Sequence, residues 1–378
     1  MRLLHCADLH IGRRLFGFSL LEDQRHALSS IAALTKEHGV DALLIAGDVF
    51  DKPVPSEAAV AVLDDFLTAL QQQGTAVFLI AGNHDSADRL QFMSRILHKT
   101  GIYIAGTFSG TVSCIRLQDE YGPVNVHLLP YLRPMEVRPF FPALEINTHE
   151  DAVRAALSTV VRSQTERSVL LAHQFVSAAG EALLRSDSET VSVGGLDCVD
   201  ASVFSEFTYV ALGHLHGAQR VGSDCVRYAG SPLKYSFSEL SQQKSVVLIE
   251  LDANAAKTTL LPVPPLHPLR EITASMAELM GATGSEDYLH VLLADEEEVP
   301  NAMQRLRELY PNLMHVSYAN RQDAAFPDLL PQAIAAKDPI EQFMEFYSLQ
   351  NGEEMAMDDL ALFRSLFHEN EAEGGLVE

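Results

Sequence analysis

The chain has 378 residues, 47% of them hydrophobic, which is enough for one large domain or two to three smaller ones. Its formal net charge of −24, from 27 basic and 51 acidic residues, taken alone argues against a nucleic-acid ligand, because such ligands are bound through positive charge. The acidic excess is uneven. Residues 1–264 hold 21 basic and 29 acidic residues, whereas residues 265–378 hold 6 and 22, and this shift predicts a boundary near residue 264.

The apolar segments and cysteines narrow the class of protein further. No apolar run approaches the roughly 20 residues that a membrane helix needs, and Asp8 comes too early for a signal peptide. We therefore expect no membrane association and a cytoplasmic location. Four separated cysteines without a C-x-x-C pair argue against a thiolate zinc site and a disulfide framework. We predict buried thiols at Cys6, Cys114, Cys198 and Cys225.

The first 264 residues alternate apolar runs with amphipathic stretches. Helical spacing of apolar residues extends over 20–37 and 56–72, and a further helix is predicted at about 150–163. This rhythm of strand and helix predicts an α/β fold for a domain spanning 1–264. The predicted strands include RLLHCA, DALLIAG, AVFLIAG, VSCIRL, VNVHLLP, SVLLA, FTYVALG, VRYAG and KSVVLIEL.

The remaining chain divides into a linker, a small domain and a helical end. The segment LPVPPLHPLR holds four prolines and predicts a stiff linker. Short strand and helix patterns predict an α+β domain over 265–324. Two amphipathic helices are predicted within 325–378, the first opened by Asp338 and Pro339. Little sequence remains to cover their apolar stripes, so these face either the protein's own core or a partner.

Polar side chains follow five of the predicted strands at the point where each strand ends. The carboxyl ends of strands form the binding crevice of an open α/β sheet, so these side chains can converge. Taken singly, each has an ordinary explanation as a helix cap, a turn residue or a structural histidine. They are Asp8 and His10 in CADLHIG, Asp48 in IAGDVFD, Asn83 and His84 in IAGNHDS, His173 in LLAHQF, and His214 with His216 in LGHLHG.

Together these positions predict a centre for two metal ions. His214 and His216 are two residues apart, so in an extended chain both imidazoles point to the same side. Two aspartates, one asparagine and four histidines, without a thiolate, suit Mn²⁺, Fe²⁺ or Zn²⁺. Two ions need a bridging ligand. Asp48 is the natural candidate, since one carboxylate can hold two cations about 3.5–4 Å apart, the separation that clamps a phosphoryl group.

The order D-x-H, G-D, G-N-H-D, an isolated H and G-H-x-H resembles the calcineurin-like metallophosphoesterase superfamily. The stretches DLHIG, GDVFDKPVPS, GNHDSADRL and GSPLKYSFSE resemble, more narrowly, the SbcD family of nuclease subunits from bacterial SbcCD complexes. The resemblance covers essentially the whole chain. It implies a sandwich of two mixed β-sheets flanked by helices, with a small α+β capping domain and C-terminal helices that bind an ATPase subunit.

The resemblance also implies a role for each residue of the site. His84 is implied to be catalytic, protonating the leaving sugar oxygen without binding metal. Asp51 departs from the pattern of archaeal relatives, which have a histidine there, and we expect a structural role beside the metal. Two divalent cations, with Mn²⁺ the expected ion, are implied to be held by Asp8, His10, Asp48 and His216 and by Asp48, Asn83, His173 and His214.

The activity implied by the resemblance is hydrolysis of DNA phosphodiester bonds. It comprises 3′–5′ exonuclease cleavage of double strands and endonuclease cleavage of single strands and hairpins, in DNA repair, recombination and replication. The implied partners are an SbcC-type ATPase with its own DNA-binding surface and a second nuclease subunit in a homodimer. Four basic residues lie near the motifs in the sequence: Arg13, Arg14, Arg89 and Lys234. They either contact the DNA backbone or are ordinary surface charges.

Two other functions remain open at this point. A phosphatase or cyclic-nucleotide phosphodiesterase of the same superfamily shares the metal core but needs no linker, capping domain or partner helix. A scaffold protein with a structural metal site is the other alternative, and it gives no reason for His84 beside the ligands.

Overall fold

The computed structural model describes residues 1–161, 165–178, 180–189, 197–253 and 255–319, together with the single positions 344 and 360. Within these ranges the strands are β1 (Arg2–Cys6), β2 (Arg14–Leu15), β3 (Phe18–Ser19), β4 (Ala42–Ala46), β5 (Ala76–Ile80), β6 (Ile102–Ala105), β7 (Ser113–Asp119), β8 (Gly122–Leu129), β9 (Arg167–His173), β10 (Phe175–Ser177), β11 (Cys198–Asp200), β12 (Tyr209–Gly213), β13 (Gln219–Val221), β14 (Ser223–Tyr228), β15 (Ser245–Leu251), β16 (Ala256–Pro262), β17 (Leu269–Ala274), β18 (Tyr288–Leu293) and β19 (Leu313–Tyr318).

The helices connect these strands and lie outside the sheets. The α2 helix begins after Ser56, whose side chain accepts a hydrogen bond from the Ala59 N–H at 3.2 Å and so caps the first turn. The described helices are α1 (Leu21–Glu37), α2 (Glu57–Gln72), α3 (Ala87–Gln91), α4 (Ser94–Leu97), α5 (Pro134–Val137), α6 (His149–Leu157), α7 (Met276–Gly281) and α8 (Ala302–Leu306), with 3₁₀ turns at His98–Thr100, Arg138–Phe140, Ala201–Phe204 and Phe237–Glu239.

Two six-stranded mixed sheets form the centre of the fold. The first has the order β16-β15-β1-β4-β5-β6, in which β1, β4, β5 and β6 are parallel. The second has the order β13-β14-β12-β9-β8-β7, in which the four inner strands are parallel. The sheets pack face to face through one shared apolar core, which includes Leu3, Leu44, Phe78, Val126, Leu171 and Tyr209.

Helices cover the outer face of each sheet. The first sheet packs against α1 and α2 through Ile31 and Phe66, and the second packs against α6 through Val153. Successive strand residues point to opposite faces, and here both faces are buried, so the strands are continuous apolar runs. The predicted α/β sandwich of two mixed sheets flanked by helices is confirmed, as are the helices expected at 20–37 and 56–72.

A smaller three-stranded parallel sheet follows the proline-rich segment. It has the order β17-β18-β19, and together with α7 and α8 it forms a separate apolar core around Leu289, Val291 and Leu306. Tyr288 donates a hydrogen bond of 2.8 Å to Asp23 on α1, so this α+β region is joined to the sandwich by a buried polar contact.

Two predictions from the sequence, one on a helix and one on the cysteines, were wrong in detail. The helix expected at about 150–163 ends at Leu157, where the hydroxyls of Ser158 and Thr159 bond to carbonyls of the preceding turn. Of the cysteines, Cys6 is buried, Cys198 and Cys225 are partly buried, and Cys114 is exposed. Cys114 faces solvent because β7 is an edge strand whose residues are largely exposed.

The chain divides into two compact units, residues 1–320 and 321–378. The helices predicted within 325–378, including the one opened by Asp338, lie outside the described residues apart from positions 344 and 360. Among the residues that the structure describes, no helix combines the length and apolarity needed to cross a bilayer.

Candidate metal centre

The predicted site residues lie at the carboxyl ends of parallel strands from both sheets. β9 ends at His173, which pairs with Gly213, the last residue of β12. The two edges are also tied directly, because the His214 N–H donates to Asp8 Oδ1 at 2.9 Å. In the first sheet, Asp8 and His10 follow β1, Asp48 follows β4, and Asn83 and His84 follow β5. The expected convergence of these five strand ends is therefore present.

The first ligand group contains Asp8, His10 and His216, all of them buried. Potential ligand atoms of these three residues lie within 4.8 Å of one another. His10 Nε2 and His216 Nε2 are only 3.2 Å apart, with both nitrogens facing the same space. An imidazole nitrogen is a strong ligand for borderline divalent cations, so this pair suits one metal ion.

The second group is built around the side-chain oxygen of Asn83. Asn83 Oδ1 lies 3.0 Å from His173 Nε2 and 3.1 Å from His214 Nδ1. His216 faces His10 instead, with the two Nε2 atoms 3.2 Å apart.

Asp48 lies between the two groups. Its Oδ2 is 3.6 Å from His10 Nε2 and 3.4 Å from His173 Nε2. Its Oδ1 accepts a hydrogen bond of 2.9 Å from the His84 backbone N–H, which fixes the orientation of the carboxylate. A single carboxylate thus contacts both groups, which is the arrangement that a bridging ligand requires.

The charges of the site favour a cation. Asp8 is fully buried, and its Oδ2 has no hydrogen-bond partner among the described residues. Burial raises the pKa of Asp8 well above its usual value; the His173 imidazole opposes this shift and the Asp48 carboxylate adds to it. Burial also lowers the pKa of His214 to about 3 and that of His10 well below its usual value. Unpartnered oxygen and neutral nitrogen donors fit divalent cations such as Mn²⁺, Fe²⁺ or Zn²⁺.

His173 shows how the chain orients a ligand. Its Nδ1 lies 2.8 Å from the Ala46 carbonyl oxygen, so the Nδ1–H donates there and Nε2 is directed at Asn83 and Asp48. Burial opposes protonation of this ring, but the charge of Asp48 and the hydrogen bond to it raise the pKa of His173 to about 9. His173 Nε2 therefore faces two oxygen atoms, Asp48 Oδ2 at 3.4 Å and Asn83 Oδ1 at 3.0 Å.

The backbone around the site is strained and closely packed. Asp8, His10, Asp48 and His214 all have positive φ angles, a conformation that costs about 1–3 kcal/mol for residues other than glycine. A Cβ atom at Gly213 would lie 1.9 Å from the Ala46 carbonyl oxygen. Only glycine therefore fits directly before His214, because the two sheet edges meet there.

His84 is held as a group that can transfer a proton. The side chain is half-buried, and its Nδ1 lies 3.1 Å from the Asp51 carbonyl oxygen. This contact assigns the proton to Nδ1 and leaves Nε2 as the second ring nitrogen. The Asp51 side chain accepts a hydrogen bond of 3.1 Å from Arg13 and lies 3.8 Å from His10 Nδ1. Asp51 thus contacts the site through Arg13, His84 and His10.

The four basic residues near the motifs differ in their surroundings. Arg14 and Arg89 are exposed. Arg13 is engaged with Asp51, and its guanidinium lies 5.2 Å from the centre of the Tyr235 ring. Lys234 donates to the Leu240 carbonyl at 2.6 Å and lines a cavity of about 500 Å³ beside the proline-rich segment. The Lys234 ammonium group is therefore engaged with a backbone carbonyl of the same stretch of chain.

Sequence reasoning missed several residues that hold the site in place. Asp85 accepts hydrogen bonds of 2.9–3.0 Å from the backbone N–H groups of Val49, Phe50 and Gly82, joining the loops after β4 and β5. Burial, with a further contribution from the charge of Asp48, raises the pKa of Asp85 to about 6. Asp85 is the aspartate of the G-N-H-D motif, but the motif alone did not indicate a role for this residue.

The GSPLKYSFSE stretch also contributes side chains to the site. In the sequence analysis it served only as evidence for the family. The Tyr235 ring packs against His10 and His216, with centroid distances of 5.5 and 5.7 Å. Glu239, the last residue of the stretch, is fully buried behind His216. These residues lie far from the metal motifs in sequence, so their proximity depends on the tertiary fold.

Comparisons with known proteins agree with this geometry. The family described as calcineurin-like phosphoesterase matches residues 1–218, more than half of the chain. A curated relative from Staphylococcus saprophyticus, named as the D subunit of the nuclease SbcCD, is 30% identical over 322 residues, covering 83% of this chain and 84% of the relative. The chain belongs to the SbcD family of calcineurin-like phosphoesterases. The family predicted from the sequence is confirmed, and with it the assignment to phosphoesterase hydrolases.

Other similarities are broader. A second SbcD-related family model, described as type 5 capsule protein repressor C-terminal domain, matches residues 264–351. A dimetal phosphatase from Danio rerio is 12% identical with a TM-score of 0.36, covering 70% of this chain and 99% of its own. The protein TT1561 of Thermus thermophilus is 15% identical with a TM-score of 0.41 over the same shares.

Proposed function

We propose that this chain is the nuclease subunit of an SbcCD-type complex and hydrolyses DNA phosphodiester bonds with two divalent cations, of which Mn²⁺ is the expected ion. The observation that carries the proposal is the position of Asp48, whose Oδ2 lies 3.6 Å from His10 and 3.4 Å from His173. The proposed ligands are Asp8, His10, Asp48 and His216 for one cation and Asp48, Asn83, His173 and His214 for the other.

The bound pair of cations would lower the pKa of water and neutralise the phosphate. Asp48 would hold both ions at one separation, since its Oδ1 is fixed by the His84 backbone N–H. Attack on phosphorus breaks the bond to the leaving sugar oxygen, which needs a proton. His84 would supply that proton from Nε2, with its Nδ1–H held by the Asp51 carbonyl at 3.1 Å.

Because the chain is acidic overall, the positive charge that binds DNA would come from a few local residues and from partner subunits. The exposed guanidinium groups of Arg14 and Arg89 are available for backbone contacts. An SbcC-type ATPase would supply a further DNA-binding surface, docked by the amphipathic residues 325–378. A homodimer of nuclease subunits would bury the exposed side chains of Phe92, Met93 and Ile96 on and beside α4. A DNA substrate is consistent with the cytoplasmic location predicted from the sequence, which stays a prediction.

Parallel assays of the purified chain test this function. The chain with Mn²⁺ is incubated with linear duplex DNA, hairpin DNA, p-nitrophenyl phosphate or cyclic AMP, with and without the ATPase subunit. We expect cleavage of duplex ends in the 3′–5′ direction and opening of hairpins, both increased by the ATPase subunit and ATP. Efficient turnover of cyclic AMP or the monoester with intact DNA would instead identify a small-molecule phosphodiesterase or phosphatase.

A further inference from the structure

A hydrogen-bonded chain runs behind His216, on the side away from the proposed cation. His216 Nδ1 lies 2.7 Å from Ser188 Oγ, and Ser188 Oγ lies 2.6 Å from Glu239 Oε1. Glu239 Oε1 is also 3.4 Å from His216 Nδ1. A carboxylate accepts and does not donate, so the hydroxyl of Ser188 donates to Glu239 and the Nδ1–H of His216 donates to Ser188. The His216 Nε2 lone pair is thereby directed at His10.

Glu239 is a fixed anchor for this chain. Its side chain is completely buried, and the Lys244 ammonium forms an ion pair with Oε2 at 2.6 Å. Lys244 also donates to the His216 carbonyl oxygen and to Ser231 Oγ, each at 2.9 Å. A buried carboxylate is stable only when it is paired and hydrogen-bonded. These contacts therefore hold the charge of Glu239 at one place, directly behind a proposed metal ligand.

His173, one of the two histidines of the other ligand group, is oriented differently from His216. His173 Nδ1 faces the backbone carbonyl oxygen of Ala46 at 2.8 Å. A neutral carbonyl fixes the tautomer of an imidazole, whereas a carboxylate in addition raises its basicity as a ligand. His216 and His173 thus differ in the group that orients them, which is Glu239 through Ser188 for His216 and a backbone carbonyl for His173.

We propose that Glu239 is a positioning residue for the cation held by Asp8, His10 and His216, acting through Ser188 and anchored by Lys244. This inference rests on the proposed two-metal function. It gives the GSPLKYSFSE stretch a physical task, because that stretch delivers both the Tyr235 ring beneath His216 and the carboxylate behind it.

The test is a titration of the metal-free full chain with Mn²⁺, in which binding is measured by calorimetry and by electron paramagnetic resonance. We expect the wild type to bind two ions. In Glu239→Gln one of them should bind about 10–100-fold more weakly while the other keeps its affinity, as for other residues that orient metal ligands. At intermediate Mn²⁺ the resonance spectrum should then change from that of a coupled pair to that of an isolated ion.

A matched control separates positioning from general destabilisation. Asp119→Asn breaks an ion pair with Arg167 at the start of β9, at the opposite end of that strand from His173. This variant should lose thermal stability and bind both ions normally. Should Glu239→Gln not fold without metal, Ser188→Ala interrupts the same chain at a partly buried residue and should weaken one ion by a few-fold.

The inference would be overturned if folded Glu239→Gln bound two Mn²⁺ ions with wild-type affinity. The same result for Ser188→Ala would overturn it where that variant has to replace Glu239→Gln. Equal weakening of both ions would also overturn it. Metal affinity is read out separately from cleavage. A wild type that binds two ions but leaves DNA intact contradicts the proposed nuclease and leaves the role of Glu239 standing.

Discussion

Charged groups have opposite surroundings at the amino and carboxyl ends of the central parallel strands. At the amino end of β9, Arg167 donates to both carboxylate oxygens of Asp119 and to the Gly122 carbonyl. These hydrogen bonds from Arg167, the largest of several causes, hold the pKa of Asp119 well below its usual value. At the carboxyl end, Asp8 Oδ2 has no partner among the described residues, and His10 and His216 present nitrogens to each other at 3.2 Å.

This difference separates stabilising from functional use of charge. Where the chain supplies both partners, as at Asp119 and Arg167, the charges stabilise the fold. Where it gathers acidic and imidazole groups and strains the backbone around them, the missing partner has to come from a ligand.

The largest effect is expected from Asp48→Asn. The amide replaces the carboxylate whose Oδ2 lies 3.6 Å from His10 and 3.4 Å from His173, so both cations should be lost and DNA cleavage should fall by about 10³-fold or more. Elemental analysis after gel filtration measures the metal, and a gel-based nuclease assay measures the activity. A variant that keeps two ions per chain would argue against the bridging role.

His84→Ala should separate metal binding from chemistry. The side chain is proposed to transfer a proton and not to bind a cation, so two ions should remain while kcat falls by roughly 10²–10⁴-fold. Steady-state kinetics on duplex DNA, with metal content determined on the same sample, checks this. Unchanged turnover at equal metal content would remove His84 from the mechanism.

Asp119→Asn probes the opposite end of the sheet. Loss of a charge-assisted hydrogen-bond network should lower the free energy of unfolding by about 1.5–3 kcal/mol. Nuclease activity per folded molecule should stay at the wild-type level, since Asp119 and His173 lie at opposite ends of the second sheet. Urea denaturation and activity assays below the transition measure the two properties; a loss of activity without a loss of stability would contradict the comparison.

The smallest effect is a pH dependence of the metal-free protein. The pKa of His173 is raised to about 9 from 6.5, so its contribution to stability is complete below pH 6.5 and is lost as pH rises through 9. Across that interval the free energy of unfolding should fall by about 1–3 kcal/mol. The decrease should be absent in His173→Gln, and Mn²⁺ should remove it from the wild type because the cation replaces the proton.

Much of the site was predictable because it depends on strand ends. Asp8, Asp48, Asn83, His173 and His214 each follow or end an apolar run, and parallel strands place such positions along one edge. The alternation argument for His214 and His216 does not apply in the structure, because β12 ends at Gly213 and His214 has a φ angle of 114°. His214 Nδ1 lies 3.1 Å from Asn83 Oδ1, whereas His216 Nε2 lies 3.2 Å from His10 Nε2.

The remainder depends on tertiary contacts that leave no local signal. Glu239 and Ser188 meet His216 from separate loops, and Lys234 is turned inward to the Leu240 carbonyl although its sequence position suggested a DNA contact. Cys114 is exposed because its strand lies at a sheet edge, which composition does not reveal.

The most direct test of the central claim is a crystal structure of the full chain grown with Mn²⁺, with the ions located by their anomalous scattering. We expect two Mn²⁺ ions about 3.5–4 Å apart, with one Asp48 carboxylate bound to both. A single ion, or two ions that do not share Asp48, would contradict it.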